Sequence, residues 1–180
     1  AGMESRDEIS LPDNDESAAM FEEAMDLLAA AGFEHYEIAN FARPGFRSSH
    51  NQVYWRRGNY LGFGSGAHSF LREPRFGQRW SNPPGIDGYC RAGAVTPSTA
   101  TCEQLSRQAA MGEALFLGLR LLEGVDLERF RGEFGVSVAK VFPGVMDRQI
   151  ADGLLLEQNG RIALSRRGVL LANRLFAEYV

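Results

Sequence analysis

A chain of 180 residues, 44% hydrophobic and 23% charged with a net charge of −4, can bury the core of one ordinary domain, or one and a half small ones, and is too apolar for global disorder. It contains no run of about 18 apolar residues, so no transmembrane helix is expected, and its acidic first twenty residues lack the apolar stretch of a secretion leader. Its two cysteines, Cys90 and Cys102, make no disulfide framework; free thiols in a reducing cytoplasm are the expected state.

Residues 1–12 have no hydrophobic period and are expected to form a mobile end. Asp13, Asn14 or Asp15 can cap a helix running to Ala31, with an apolar stripe of Met20, Ala24, Leu27, Leu28 and Ala31 and a stop at Gly32. This stretch is acidic: residues 1–40 carry eleven acids and one base, Arg6. Tyr36-Glu37-Ile38-Ala39-Asn40-Phe41 reads as a strand, and helix, short turn, strand is the unit of a parallel α/β sheet or barrel. Arg43-Pro44-Gly45 breaks it and starts a loop, and Tyr60-Leu61-Gly62-Phe63-Gly64 reads as a second, buried strand. Across residues 43–79 seven arginines face one acid, Glu73, which suits carboxylate or phosphate groups, or else pairing with the acidic first helix. Residues 72–101, rich in Pro and Gly, read as a long irregular connection and a domain boundary, dividing 1–101 from 102–180.

From Glu103 the pattern becomes helical, with Leu105, Ala109, Gly112, Leu115, Phe116, Leu119 and Leu122 on one stripe and Gly124 as its end. Asp126 caps a short helix closed by Gly135, and Pro143 opens a third helix through Asp152. Asn159-Gly160 predicts a two-residue hairpin, and Ser165 caps a last helix through Tyr179. Three helices, a hairpin and a helix predict a winged-helix-like module. Its residues 103–180 carry ten acids and ten bases, so no nucleic-acid footprint is expected.

Two segments follow the expected strand ends, where parallel α/β proteins place ligands: His50-Asn51-Gln52-Val53-Tyr54-Trp55 and Gly64-Ser65-Gly66-Ala67-His68-Ser69. Gly62, Gly64 and Gly66 alternate, leaving one face without side chains, so exposed N–H groups there can hold an anion or an adenosyl group, or the face can pack closely. His50 stands beside Asn51, Tyr54 and Trp55, which supply hydrogen bonds and flat surface for an iron ligand; a flat macrocycle with carboxylate edges suits such aromatics beside arginines. His68 is either a second ligand-facing group or a structural histidine, and His35 reads as a surface residue. Zinc spacing, a P-loop and a nucleophile elbow are all missing from the sequence. No catalytic residue is assigned.

Residues 36–45, the His50–Trp55 segment and Tyr60–Ser69 together resemble the oxygen-independent coproporphyrinogen III oxidase family of radical S-adenosylmethionine (SAM) proteins. Phe116–Asp126 and Leu164–Gly168 resemble its C-terminal domain. The His-Asn-x-x-Tyr-Trp pattern resembles the heme-chaperone group within it. The resemblance implies a partial (β/α) barrel end followed by the winged-helix-like domain, and heme binding through His50, Asn51, Tyr54 and Trp55, with His50 on the metal. Gly64, Gly66, Ala67 and His68 complete the cofactor-facing set. It further implies SAM and a 4Fe–4S cluster held by Cys-x-x-x-Cys-x-x-Cys, a motif this sequence lacks. The chain is therefore expected to be the back part of a longer protein and inactive alone. Heme delivery to an acceptor protein is the leading expectation; the alternatives are oxidative decarboxylation of coproporphyrinogen III and a non-enzymatic winged-helix interaction module.

Overall fold

The chain caps its first helix with Asp13, whose carboxylate accepts from the Glu16 N–H at 2.8 Å while Glu16 bonds back to the Asp13 N–H. The computed structural model describes residues 11–92 and 102–180, so the expected mobile end (save its last two residues) and the 101/102 boundary lie outside the described residues. It divides at Arg47/Ser48 into two units.

In the first unit, α1 (Asn14–Ala30) ends at Gly32, whose φ of 80° suits glycine. The buried stripe is not the expected one: Met20 and Leu27 are 62% and 63% exposed, and Met25 is buried instead. The expected strand 36–41 is two strands, β1 (Glu34–Glu37) and β2 (Asn40–Ala42), paired antiparallel with His35 opposite Phe41. The turn at Ile38-Ala39 carries no glycine or proline. Polar bonds make it: Asn40 Nδ2 donates to the Glu37 carboxylate, and a His35 ring nitrogen bonds the Ile38 carbonyl at 3.1 Å. His35, read as a surface residue, is stacked on Phe41 at 4.1 Å.

The second unit opens with α2 (Ser49–Trp55), a helix where a loop was expected; the Ser48 side chain caps it by accepting the Asn51 N–H. The expected strand 60–64 is an irregular segment in which Tyr60 alone bridges to Phe70, and Leu61 and Phe63 are exposed. β3 (His68–Leu71), β4 (Gln78–Ser81) and β5 (Glu103–Gln104) form an antiparallel sheet in that order, and α3 (Ile86–Ala92) follows β4. The region expected to be wholly irregular thus contains a strand and a helix, organised by Trp80, which is 2% exposed. Among the described residues every strand pairing is antiparallel, so the expected parallel pairing is not found there.

α4 (Arg107–Gly118) starts after Ser106, its cap, because Glu103–Gln104 is committed to β5. β6 (Val125–Asp126) leads into α5 (Leu127–Phe134), capped by Asp126 and closed by Gly135 as expected. α6 (Val138–Val141) and α7 (Val145–Ala151) follow, α7 starting from Gly144 rather than Pro143. β7 (Leu155–Gln158) and β8 (Arg161–Leu164) form the expected hairpin; Asn159 and Gly160 have φ of 51° and 73°, the left-handed pair that an Asn-Gly turn allows. β6 adds to β8, giving the order β6-β8-β7. Ser165 caps α8 (Arg166–Leu170), but the expected single final helix breaks at Leu171 before α9 (Ala172–Phe176). Leu115, Leu119, Leu155, Ile162 and Leu175 are fully buried and make the core of this half.

Gln149 is 1% exposed and buried against the chain end, where Tyr179 donates its hydroxyl to Gln149 Oε1 at 2.7 Å. Burial pushes the Tyr179 hydroxyl up to about 12. The unfolded chain ionises this tyrosine first, near its ordinary value of about 10, so stability falls as pH rises from about 10 towards 12. Urea melts of the chain and of Tyr179→Phe at increasing pH check this. The variant should be about 1 kcal/mol or more weaker at neutral pH, for want of a donor to Gln149, and should decline less steeply in the alkaline range.

Candidate functional site

His50 sits in the first turn of α2 and Tyr54 one turn later, so the two side chains share a helix face. Tyr54 Oη lies 3.0 Å from His50 Nε2, and the rings meet edge-to-face at 4.9 Å. His50 is exposed, and its Nδ1 has no hydrogen-bond partner among the described residues. Tyr54 packs on Tyr60 at 4.5 Å, and Tyr60 on Phe70 at 6.1 Å, so a row of rings runs from the exposed imidazole to the buried sheet. Two backbone bonds of 2.9 Å between Tyr60 and Phe70 hold its inner end. Burial raises the Tyr60 hydroxyl above the ordinary tyrosine value and keeps it protonated.

Trp55 meets other neighbours. The Arg120 guanidinium lies 4.3 Å from its ring centre, a cation–π distance. Trp55 also lines a cleft of about 350 Å³ with Arg56, Arg72, Arg129 and Arg161 at its polar side and Phe130 among its apolar walls. Three of these arginines are already matched. Arg56 pairs with Glu123 at 3.0 Å, Arg72 with Glu133, and Arg161 donates to the carbonyls of Glu123 and Gly124 at 2.8 Å. The structure therefore brings His50 and Tyr54 together but sends Trp55 to a different wall. Asn51 is half-buried, and its backbone N–H is used by the Ser48 cap at 3.2 Å.

The glycine segment is held by two buried polar residues, Ser69, the last residue of the segment itself, and Asn82, which the sequence pattern did not single out; they are 0% and 5% exposed. Ser69 Oγ accepts the Gly62 N–H at 2.9 Å, and Asn82 Nδ2 donates to the Gly62 and Gly64 carbonyls at 3.0 and 2.9 Å. The N–H groups of Gly66 and Ala67 bond to the carbonyls of Pro83 and Gly64. A Cβ on Gly62 would collide with the His68 backbone, whereas Gly64 and Gly66 face open space with φ of 110° and 68°. Close packing explains the first glycine and backbone conformation the other two. His68 itself is exposed on β3, opposite Ser81.

Arg57 is the most buried charge near the motif, at 4% exposure, with a left-handed φ of 51° that costs an arginine about 1 kcal/mol or more. It donates to Glu133 Oε1 at 3.1 Å and to the Phe76 carbonyl at 2.7 Å. Its Nε lies 3.5 Å from Glu113, an ion contact without hydrogen-bond geometry. Burial draws the guanidinium below its ordinary value, opposed by Glu113 and Glu133. Sequence reading could not find this node, because its partners lie 56 and 76 positions away. Among the described residues, no group of three or more His, Cys, Asp or Glu side chains could hold a metal ion.

Residues 105–171 match the family model described as the HemN C-terminal domain. The chain is 36% identical over 172 residues to a protein of Lactococcus lactis named heme chaperone HemW, covering 96% of the chain and 44% of that protein. It is 45% identical to the heme chaperone HemW of Escherichia coli over 167 residues, 92% of the chain and 43% of that protein. In fold it matches Escherichia coli HemN, described as a coproporphyrinogen III oxidase and radical SAM enzyme, with a TM-score of 0.67 and 16% identity over 94% of the chain and 42% of that structure. The chain belongs to the HemN/HemW-like family, and it spans less than half the length of these relatives. No helix among the described residues is long and apolar enough to cross a membrane.

Proposed function

We propose that this chain supplies one wall of a tetrapyrrole site in a longer radical SAM protein that binds heme and hands it to an acceptor protein. The observation that carries the reading is the His50–Tyr54 pair: an exposed imidazole held through Nε2 by a tyrosine hydroxyl, with no hydrogen bond to Nδ1 among the described residues. A metal-binding histidine commonly has its second nitrogen oriented in this way by a hydrogen bond, and heme iron needs one axial side chain rather than a cluster of ligands. His50 would bind through Nδ1, Tyr54 would set the ring's orientation, and Tyr54 and Tyr60 would offer flat surface beside it. Asn51 and Trp55 support the helix that carries them. Heme would supply an iron that an imidazole nitrogen can bind.

Gly64, Gly66, Ala67 and His68 are assigned to the side facing SAM. Two cysteines, one exposed and one half-buried, do not fit a 4Fe–4S cluster, which takes at least three thiolates from one motif in this family, so that cluster would belong to polypeptide outside this chain. We assign residues 1–101 to the end of the partial barrel and 102–180 to a winged-helix-like domain; the β7–β8 hairpin with β6 added to it, set among helices α4 to α9, supports the second assignment. A reducing cytoplasm suits the free cysteines, and a charge-balanced tail suits no nucleic acid. The oxidase reading is less favoured: it needs arginines of residues 43–79 for propionates, and Arg47, Arg56, Arg57, Arg72 and Arg79 each already face a glutamate.

Titration of the chain with hemin, followed in the Soret band, tests the proposal. A single saturable site is expected. Absorbance that rises without saturation, or that matches hemin with serum-free buffer, would overturn it.

A further inference from the structure

We infer that Arg57 is a positioning residue that locks the C-terminal end of α2 onto α4 and α5 and so holds the His50–Tyr54 face in place. The functional consequence rests on the heme reading; the geometry does not. Three consecutive residues follow Tyr54, and each grips a different partner. Trp55 meets Arg120, Arg56 meets Glu123, and Arg57 meets Glu113 on α4 and Glu133 on α5.

The last grip is the most deeply buried: the Arg57 side chain is 3% exposed, against 46% for Arg56, and Trp55 and Arg120 are half-buried. Exposed pairs of the second kind contribute little. The left-handed backbone at Arg57 turns the chain inward, and the Gly58 N–H bonds back to the Val53 carbonyl at 2.7 Å, closing the helix. The guanidinium then lies 5.6 Å from the centre of the Phe70 ring and 6.0 Å from that of Phe134. Phe70 is the inner end of the ring row that starts at His50, and Phe134 is the last residue of α5. One side chain therefore touches the row at its root and the helices of the C-terminal half.

The same carboxylates extend the grip to the sheet. Glu113 also takes Arg79 of β4 at 2.9 Å, and Glu133 takes Arg72, just past β3. Helix α2, the β3–β4 pair, α4 and α5 thus meet at two glutamates bridged by one buried arginine. A lysine keeps the charge but lacks the fork that reaches Glu133, Glu113 and the Phe76 carbonyl together.

The test uses Arg57→Lys and the milder Glu133→Gln in the 180-residue chain, below their melting temperatures. The hemin-free readout is the His50 imidazole resonances in a ¹H–¹⁵N spectrum. These should shift in both variants as the Nε2 bond to Tyr54 loosens, and hemin affinity should fall about tenfold or more in Arg57→Lys, with a displaced Soret band. Unchanged His50 resonances in folded variants would overturn the inference, and if Arg57→Lys does not fold, Glu133→Gln decides alone. If His50 responds to both variants but His50→Ala binds hemin as the parent chain does, the positioning role stands and the ligand assignment fails.

Discussion

Gly124→Ala should lower the stability of residues 48–180 by about 3 kcal/mol or more, which for a unit of this size is a fall of roughly 10 °C in Tm. Two costs add at this position. The backbone has φ of 71°, which alanine adopts only with strain, and a Cβ would fall on the Ile162 carbonyl and the Ala163 methyl. That carbonyl belongs to β8, the middle strand of the β6-β8-β7 sheet, so it cannot yield without opening the ladder. The Glu123 and Gly124 carbonyls also anchor Arg161, and that anchor would go with the turn. A far-UV circular-dichroism melt checks this. Gly153→Ala is the control: it shares a left-handed φ of 69° but meets open space, so it should cost only about 1 kcal/mol.

Gly62→Ala should do comparable damage to the site itself. Its Cβ would collide with the carbonyl and nitrogen of His68, backbone atoms of β3 that are fixed by pairing with β4. The segment would have to lift, breaking the Gly62 N–H bond to Ser69 and the two bonds from Asn82. Both polar side chains are buried, so losing their partners adds about 1–3 kcal/mol per group left unsatisfied. Hydrogen exchange at residues 62–67 should rise sharply while α7 and the β7–β8 hairpin stay protected. Gly64→Ala meets open space and should loosen the segment far less.

What could be read from the sequence follows the range of each interaction. Helix caps at Asp126 and Ser165, the stop at Gly135 and the Asn159-Gly160 turn rest on bonds within four residues, and the structure places each where the pattern put it; of the three candidates for the first cap, Asp13, Asn14 and Asp15, it takes Asp13. The β1–β2 turn escaped because a Glu37–Asn40 side-chain bond replaces the usual glycine. The β3–β4 strands escaped because each is four residues long between irregular segments, and their core residue, Trp80, carries no period. The helix breaks at Leu171, where Gly168 packs against the Leu154 carbonyl, a contact invisible locally.

The same division holds at the site. The sequence pattern groups His50 with Asn51, Tyr54 and Trp55 but places them in a loop, so the helical turn that lets His50 and Tyr54 hydrogen-bond is not legible there, although the bond itself is local. That Trp55 would turn to Arg120, and that five of the arginines of residues 43–79 would already face glutamates, depended on residues far along the chain. Glu34 of β1 takes Arg47, and Arg56, Arg57, Arg72 and Arg79 pair with acids between Glu103 and Glu133.

The most direct measurement is hemin titration of His50→Ala beside Tyr54→Phe, read as affinity and Soret position. With His50 as the axial ligand, His50→Ala loses the ligated spectrum, and Tyr54→Phe keeps it but with a displaced band and weaker binding, about tenfold. A Soret band unchanged by the loss of the His50 imidazole would contradict the account.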